Sequence, residues 1–195
     1  MTALFPSRLE GIIFWAILVL VVSSVLVTSL RQRPEAEVGP RRRQHASSAR
    51  SIAVGIGLVL VVGIAIGYSR LGALPGWVFY PGEVLFVVGA ALTGWSYTIL
   101  GRHVSPHVEV LPEHRVIKSG PYRYIRHPGY LGQIVALLGF GLAVQSWLAE
   151  LTILVTVIGL FGYRIRVEEE FLVSELGDDY VDYMKGTRRI IPFIC

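Results

Sequence analysis

Two short stretches of this chain hold most of the side chains that could do chemistry. The later one reads Arg164-Ile-Arg-Val-Glu168-Glu169-Glu170 and puts a guanidinium and a carboxylate four residues apart, on one face of a helix. Spacing alone fits a solvated pair on a charged helix, although a guanidinium also suits the geometry of a carboxylate or phosphate ligand. The earlier stretch lies within His103–Tyr130. From His114 to Tyr130 it is dense in glycine, proline, aromatic and basic residues. Pro121 and Pro128 remove backbone donors and bias the residues before them towards extended geometry, and Gly120 permits a tight turn. Such a stiff, irregular segment can line a pocket with backbone groups. No Cys/His spacing suggests zinc, so no metal is expected. Ser, His and acidic residues fall in no nucleophile motif.

The elements that must position these groups are membrane helices. Of 195 residues, 53% are hydrophobic and only 16% charged, with a mean hydropathy of +0.57. A soluble domain carries about a quarter charged residues, and intrinsic disorder needs low hydrophobicity. The single cysteine, Cys195, excludes a disulfide-stapled module, and no CaaX motif surrounds it. A span needs about 20 mostly apolar residues. Ile12–Leu30, Ser51–Ser69 and Val84–Leu100 qualify, the last only by sitting nearly upright or by borrowing flanking residues. The apolar block Gly129–Tyr163 is too long for one helix. Its break at Gln145-Ser146-Trp147 predicts a hairpin and five spans in all. The first run is read as an anchor rather than a signal peptide, because no small-residue cleavage site precedes the basic cluster after it.

All 18 Lys and Arg except Arg8 and Arg70 fall in residues 31–50, 101–128 or beyond 163. Basic segments stay on the cytoplasmic side. Five spans with the amino terminus outside put all three segments there, beside anionic headgroups. The formal charge of +4 is therefore read as topology and not as a nucleic-acid surface. Trp77, Phe79, Tyr80 and Trp147 suit the opposite interface. Residues 34–50 read as a flexible linker with little chemistry, and Gly63–Gly67 as a weak helix-packing step. The first three spans carry no ionisable group in their interiors, which speaks against a channel or transporter. Glu150 is expected to snorkel or cap near the outer interface. The fold class is thus all-α: a polytopic bundle of about five helices with a C-terminal cap. It divides into residues 1–100 and a chemical region 101–195 that holds the hairpin 129–163 and an amphipathic C-terminal helix.

Taken together, Gly120-Pro-Tyr-Arg-Tyr-Ile-Arg-His-Pro-Gly-Tyr-Leu-Gly132, the hairpin, Glu168-Glu169, Leu-Gly-Asp-Asp-Tyr180-Val-Asp-Tyr183 and Thr187-Arg-Arg-Ile-Ile-Pro192 resemble the isoprenylcysteine carboxyl methyltransferase and phospholipid methyltransferase family of integral membrane enzymes. The likeness covers about residues 101–195. It implies S-adenosyl-L-methionine as cofactor, bound without a Rossmann domain, and a lipophilic acceptor taken from the bilayer. It also implies a cytoplasm-facing site in a multi-pass protein, here read as one of a prokaryotic inner membrane. By the same resemblance, cofactor contacts fall on His114, Arg115, Val116, Ile117, Gly120, Tyr122, His127, Pro128, Gly129, Tyr130, Glu168 and Glu169. Arg164 falls where the family contacts its acceptor, so Arg164 and Glu168 are the candidate catalytic pair. Leu176 stands where the family often has Phe, and Val116-Ile117 where Leu-Val is more usual. A carboxylate acceptor is favoured, as in isoprenylcysteine O-methylation, and it would need no general base. An amine acceptor, as in phospholipid N-methylation, would make His127 the first candidate base. Two other classes stay open: an NADPH-dependent reductase of sterols or unsaturated lipids, suggested by the Arg-x-Ile-Ile-Pro-Phe ending, and a non-catalytic relative.

Overall fold

A computed structural model describes residues 5, 7–31, 40–100 and 116–190. Helices α1 (Arg8–Arg31), α2 (Pro40–Ser69), α3 (Phe79–Leu100), α4 (Pro128–Ala143), α5 (Trp147–Leu176) and α6 (Asp178–Gly186) make up nearly all of it, with short 3₁₀ turns at Gly76–Val78 and Gly120–Arg123. Among the described residues, β pairing is limited to two isolated bridges. Segments Ser51–Ser69, Gly76–Leu100 and Trp147–Leu176 are long and apolar enough to cross a membrane, and Pro128–Ala143 is apolar but shorter. The third apolar run borrows residues before Val84, since α3 starts at Phe79.

One expectation is corrected. The stretch 34–50, read as a flexible linker, is helical from Pro40 onward and runs without a break into the apolar part of α2. Proline suits the first turn of a helix, where its missing N–H would have no partner anyway. Charge had masked the helix.

Packing between apolar helices in a lipid setting relies on close approach, because lipid tails are as apolar as the side chains. Helices α3 and α4 achieve this through glycines. A Cβ on Gly89 would lie 2.3 Å from the Ala136 amide nitrogen, and one on Gly139 would lie 2.3 Å from that of Phe86. Phe140 then fills the centre of the bundle. Its ring centroid lies 5.8 Å from that of Phe14 on α1 and 6.3 Å from that of Phe86 on α3. It also occupies the space beside Gly63 of α2. The Gly63 step therefore packs within this chain.

The α4–α5 turn is fastened to the α2–α3 connection. Leu74 N donates to Gln145 O at 2.8 Å, Trp147 N to Gly72 O at 2.9 Å and Ser146 Oγ to Leu71 O at 2.6 Å. Trp77, Tyr80 and Trp147 are exposed at this end, whereas Phe79 is buried. Glu150 turns towards α4, with a carboxylate oxygen against Gly141.

Candidate functional site

At the other end of the hairpin, α5 carries its polar face past the apolar block. Successive helical residues are about 100° apart, so Glu168 and Glu169 point to two different neighbourhoods. Glu168 shares the Arg164 face, and Glu169 faces the segment before α4.

The first neighbourhood centres on Arg164, which is buried. Its Nε donates to the Tyr130 hydroxyl at 2.9 Å, its Nη1 to Ser48 Oγ at 2.5 Å, and its Nη2 lies 3.3 Å from Glu168 Oε2. Tyr130 in turn donates its hydroxyl hydrogen to Glu168. The i,i+4 pair of the sequence is thus an ion pair between a buried guanidinium and a half-buried carboxylate, bridged by the Tyr130 hydroxyl. A charge taken out of water is tolerated only when paired and hydrogen-bonded in this way. Tyr97 joins from α3, its hydroxyl accepting from Gln133 Nε2 at 2.7 Å.

The second neighbourhood is a clasp. Glu169 receives Arg126 Nε at 2.8 Å on one oxygen and Arg189 Nε at 2.9 Å on the other. His127 Nε2 stands 3.4 Å from the same carboxylate, too far for a good hydrogen bond. Arg126 also donates through Nη1 to the carbonyls of Met184, at 3.0 Å, and Thr187, at 2.5 Å. The backbone closes the arrangement, with Arg126 N on Arg188 O at 2.7 Å and His127 N on Arg189 O at 3.1 Å. The buried His127 ring stacks on Tyr130, centroids 5.5 Å apart, and so joins the two neighbourhoods.

The turn at Gly120–Arg123 sits over α3. Gly120 has φ 58°, and a Cβ there would meet Ile99 Cδ1 at 2.4 Å, so both conformation and space select glycine. Tyr183 of α6 donates its hydroxyl to the Tyr122 carbonyl at 2.6 Å. Burial, with Tyr97 and Glu168 nearby, pushes the Tyr122 phenol far above its ordinary range. Burial likewise pushes the Tyr183 phenol up to about 12. Both are neutral donors at physiological pH.

Of the residues expected at the site, Tyr130, Arg164 and Glu168 meet directly, with Tyr122 near them. His127 and Glu169 meet one layer away. Pro128 and Gly129 are buried at the start of α4, where Gly129 O accepts from Thr93 Oγ1 at 3.3 Å. Val116 and Ile117 are half-buried ahead of the turn. His114 and Arg115 lie outside the described residues. Ser48, Tyr97, Arg126 and Arg189 are the polar partners that sequence reasoning did not assign. Arg126 and Arg189 stand inside quoted motifs and were within reach, whereas nothing local marks Ser48 or Tyr97.

Comparison with known proteins bears on the same segment. The sequence pattern of the isoprenylcysteine carboxyl methyltransferase family matches residues 83–174, from α3 through the hairpin and past Glu168 and Glu169. The match takes in just under half of the chain. The protein-S-isoprenylcysteine O-methyltransferase of Schizosaccharomyces pombe is 34% identical over 82 residues, covering 42% of this chain and 35% of the yeast protein. The protein-S-isoprenylcysteine O-methyltransferase A of Arabidopsis thaliana is 27% identical over 120 residues, 60% of this chain and 61% of its own length. The mouse protein-S-isoprenylcysteine O-methyltransferase is 28% identical over 120 residues, covering 60% of this chain and 42% of its own. The chain thus spans less than two thirds of the curated relatives it matches. In the isoprenylcysteine carboxyl methyltransferase segment, α3 and α4 are the helices joined by close glycine contact.

Proposed function

We propose that this protein is a membrane methyltransferase that transfers a methyl group from S-adenosyl-L-methionine to the carboxylate of a lipophilic, isoprenylcysteine-like acceptor. The observation that carries the reading is the buried Arg164–Tyr130–Glu168 cluster, lying inside the segment that matches the family. The residues present suit the cofactor. Glu168 is half-buried, not sealed, and a carboxylate among phenols suits an α-ammonium through a charge-assisted bond. The backbone around Val116–Tyr122 supplies polar groups for an adenosine edge and a second carboxylate, with His114 and Arg115 just ahead of it. Glu169, with both oxygens on arginines, holds the cap in place in this reading, and His127 supports Tyr130.

When bound, the cofactor supplies an activated sulfonium methyl. The protein's own task is then alignment and exclusion of water, which can contribute several kcal/mol. Arg164 orients the acceptor's anion at the base of the hairpin, and no general base is required. In this reading α1 to α5 are five spans with the amino terminus outside. The basic segments and the site then face the cytoplasm, as the positive-inside rule favours. Residues 101–195 carry the chemistry and residues 1–100 the supporting wall, although the glycine contact of α3 with α4 makes the two inseparable in packing.

Calorimetry of detergent-purified protein with S-adenosylhomocysteine and, separately, NADPH tests the reading. Binding of S-adenosylhomocysteine alone is expected. Binding of NADPH alone would move the protein to the reductase class, and binding of neither by folded protein would favour a non-catalytic relative.

A further inference from the structure

We propose that Tyr97 and Gln133 form an amide-reading subsite, which selects acceptors that carry an acylamino group beside the carboxylate. The inference rests on the methyltransferase reading above and deepens it. Gln133 is the one amide side chain in α4, an otherwise apolar helix apart from Tyr130. Its Nε2 donates to the Tyr97 hydroxyl of α3 at 2.7 Å. Polar side chains often join membrane helices in this way. Here glycines already hold α3 against α4, so packing alone does not call for the pair.

Its position suits the polar end of an amphiphile. The Tyr97 ring lies over the start of α4, where a Cβ on Gly129 would meet its Cε1 at 3.3 Å. Gln133 follows Tyr130 by three positions, on nearly the same helical face. Glu168 and Arg164 are near enough for their charges to act on the Tyr97 hydroxyl. With α3 ending at Leu100 and α4 starting at Pro128, the two residues sit about 5 and 8 Å inside the helix ends. An acceptor with its chain in the bilayer and its carboxylate at the site carries an adjacent amide at that depth.

The donor and acceptor inventory then matches an amide. A phenol has one O–H and two lone pairs, and a carboxamide has two N–H groups and a carbonyl. The bond between them uses one N–H and one lone pair. Among the described residues, the Tyr97 O–H donates to no group and Gln133 Oε1 accepts from none. Together they offer a donor for an amide carbonyl and an acceptor for an amide N–H.

The test compares kcat/KM for N-acetyl-S-farnesylcysteine with that for 3-(farnesylthio)propionic acid, which keeps the carboxylate and thioether and lacks the acetamido group. Wild type, Tyr97→Phe and Gln133→Leu are assayed with labelled S-adenosylmethionine, and S-adenosylhomocysteine affinity is measured on each. One neutral hydrogen bond corresponds to about two- to tenfold in an equilibrium constant. Wild type should therefore prefer the amide-bearing probe by about tenfold. Each variant should cut that preference to about threefold or less, with the S-adenosylhomocysteine Kd within about twofold of wild type. No preference in wild type, an undiminished preference in either variant, or a parallel loss of cofactor affinity would each overturn the subsite. A wild type that binds S-adenosylhomocysteine but methylates neither probe would overturn the carboxylate reading, and this subsite with it. A folded wild type that binds no S-adenosylhomocysteine would overturn the methyltransferase reading itself.

Discussion

Arg164 Nε lies 2.9 Å from the hydroxyl oxygen of Tyr130, and this one bond ties the two helices of the hairpin together at the end opposite their turn. The residues are 34 positions apart in the chain. The Tyr130 hydroxyl accepts from the guanidinium and donates to Glu168, so a neutral phenol relays between a cation and a carboxylate that also face each other directly.

Glu168→Gln keeps the size of the side chain and removes its charge. If Glu168 holds the cofactor's ammonium, S-adenosylhomocysteine affinity should fall about tenfold or more, the scale of a charge-assisted hydrogen bond. Calorimetry on the folded variant checks this, and an unchanged dissociation constant would remove Glu168 from the cofactor site.

Arg164→Ala should damage acceptor turnover far more than S-adenosylhomocysteine binding. It should also lower stability, because it removes a buried side chain and one partner of the half-buried Glu168 carboxylate, which keeps its bond from Tyr130. Steady-state kinetics with thermal unfolding separate the two effects. Equal loss of kcat and cofactor affinity would argue against an acceptor role.

The Glu169 clasp makes a different prediction. Glu169→Ala strands Arg126, whose side chain is 8% exposed, and frees Arg189, which at 52% exposed can find water. The cost should be about 3 kcal/mol, carried mainly by Arg126. That is a fall of about 6 °C or more in Tm for a chain of this size. Trypsin should then cut faster after Arg188 and Arg189. An unchanged cleavage rate would mean that the bridge to Tyr124–His127 holds this segment without the clasp.

Two glycines on the hairpin should respond in opposite ways to alanine. Gly139→Ala drives a methyl group to within 2.3 Å of the Phe86 backbone and should cost about 1–3 kcal/mol through overpacking. Gly159 has nothing within 4 Å of a Cβ, so Gly159→Ala should be neutral or slightly stabilising, as alanine is the better helix former. Thermal unfolding in one detergent compares them. Similar Tm values for the two variants would refute the close α3–α4 contact.

Alkaline pH gives an independent check on the cap. The Tyr183 phenol titrates at about 12 in the fold and at about 10 in an unfolded chain. The fold favours the protonated phenol, so this contribution is complete below about pH 10 and is lost as pH rises through about 12. Tyr183→Phe removes that share. Its stability should decline less steeply than the wild type's across about pH 9 to 12, and equal slopes would show that Tyr183 is not the titrating group.

Much of the site was legible because its signals are local. Pro128 at a helix start, Gly120 at a turn and Glu168 four residues after Arg164 are each readable from spacing. The helical start of α2 was not, because arginines and serines at 41–51 carry the composition of a linker. What buries Ser48 within this helix is contact with Arg164 of α5, more than 100 residues further along the chain.

Composition and apolar run length determined that this is an all-helical protein with membrane-length segments, since about 20 apolar residues leave few other folds. Charge placement and the motif set likewise marked residues 101–195 as the half in which the proposed chemistry would lie. Only the tertiary structure decided how the two adjacent glutamates divide their work. A helix turns about 100° between neighbours, so Glu168 meets Tyr130 and Arg164 while Glu169 meets Arg126 and Arg189. The burial of Ser48 against Arg164 is equally a matter of tertiary contact, because it depends on how α2 lies along α5 and no nearby residue announces it.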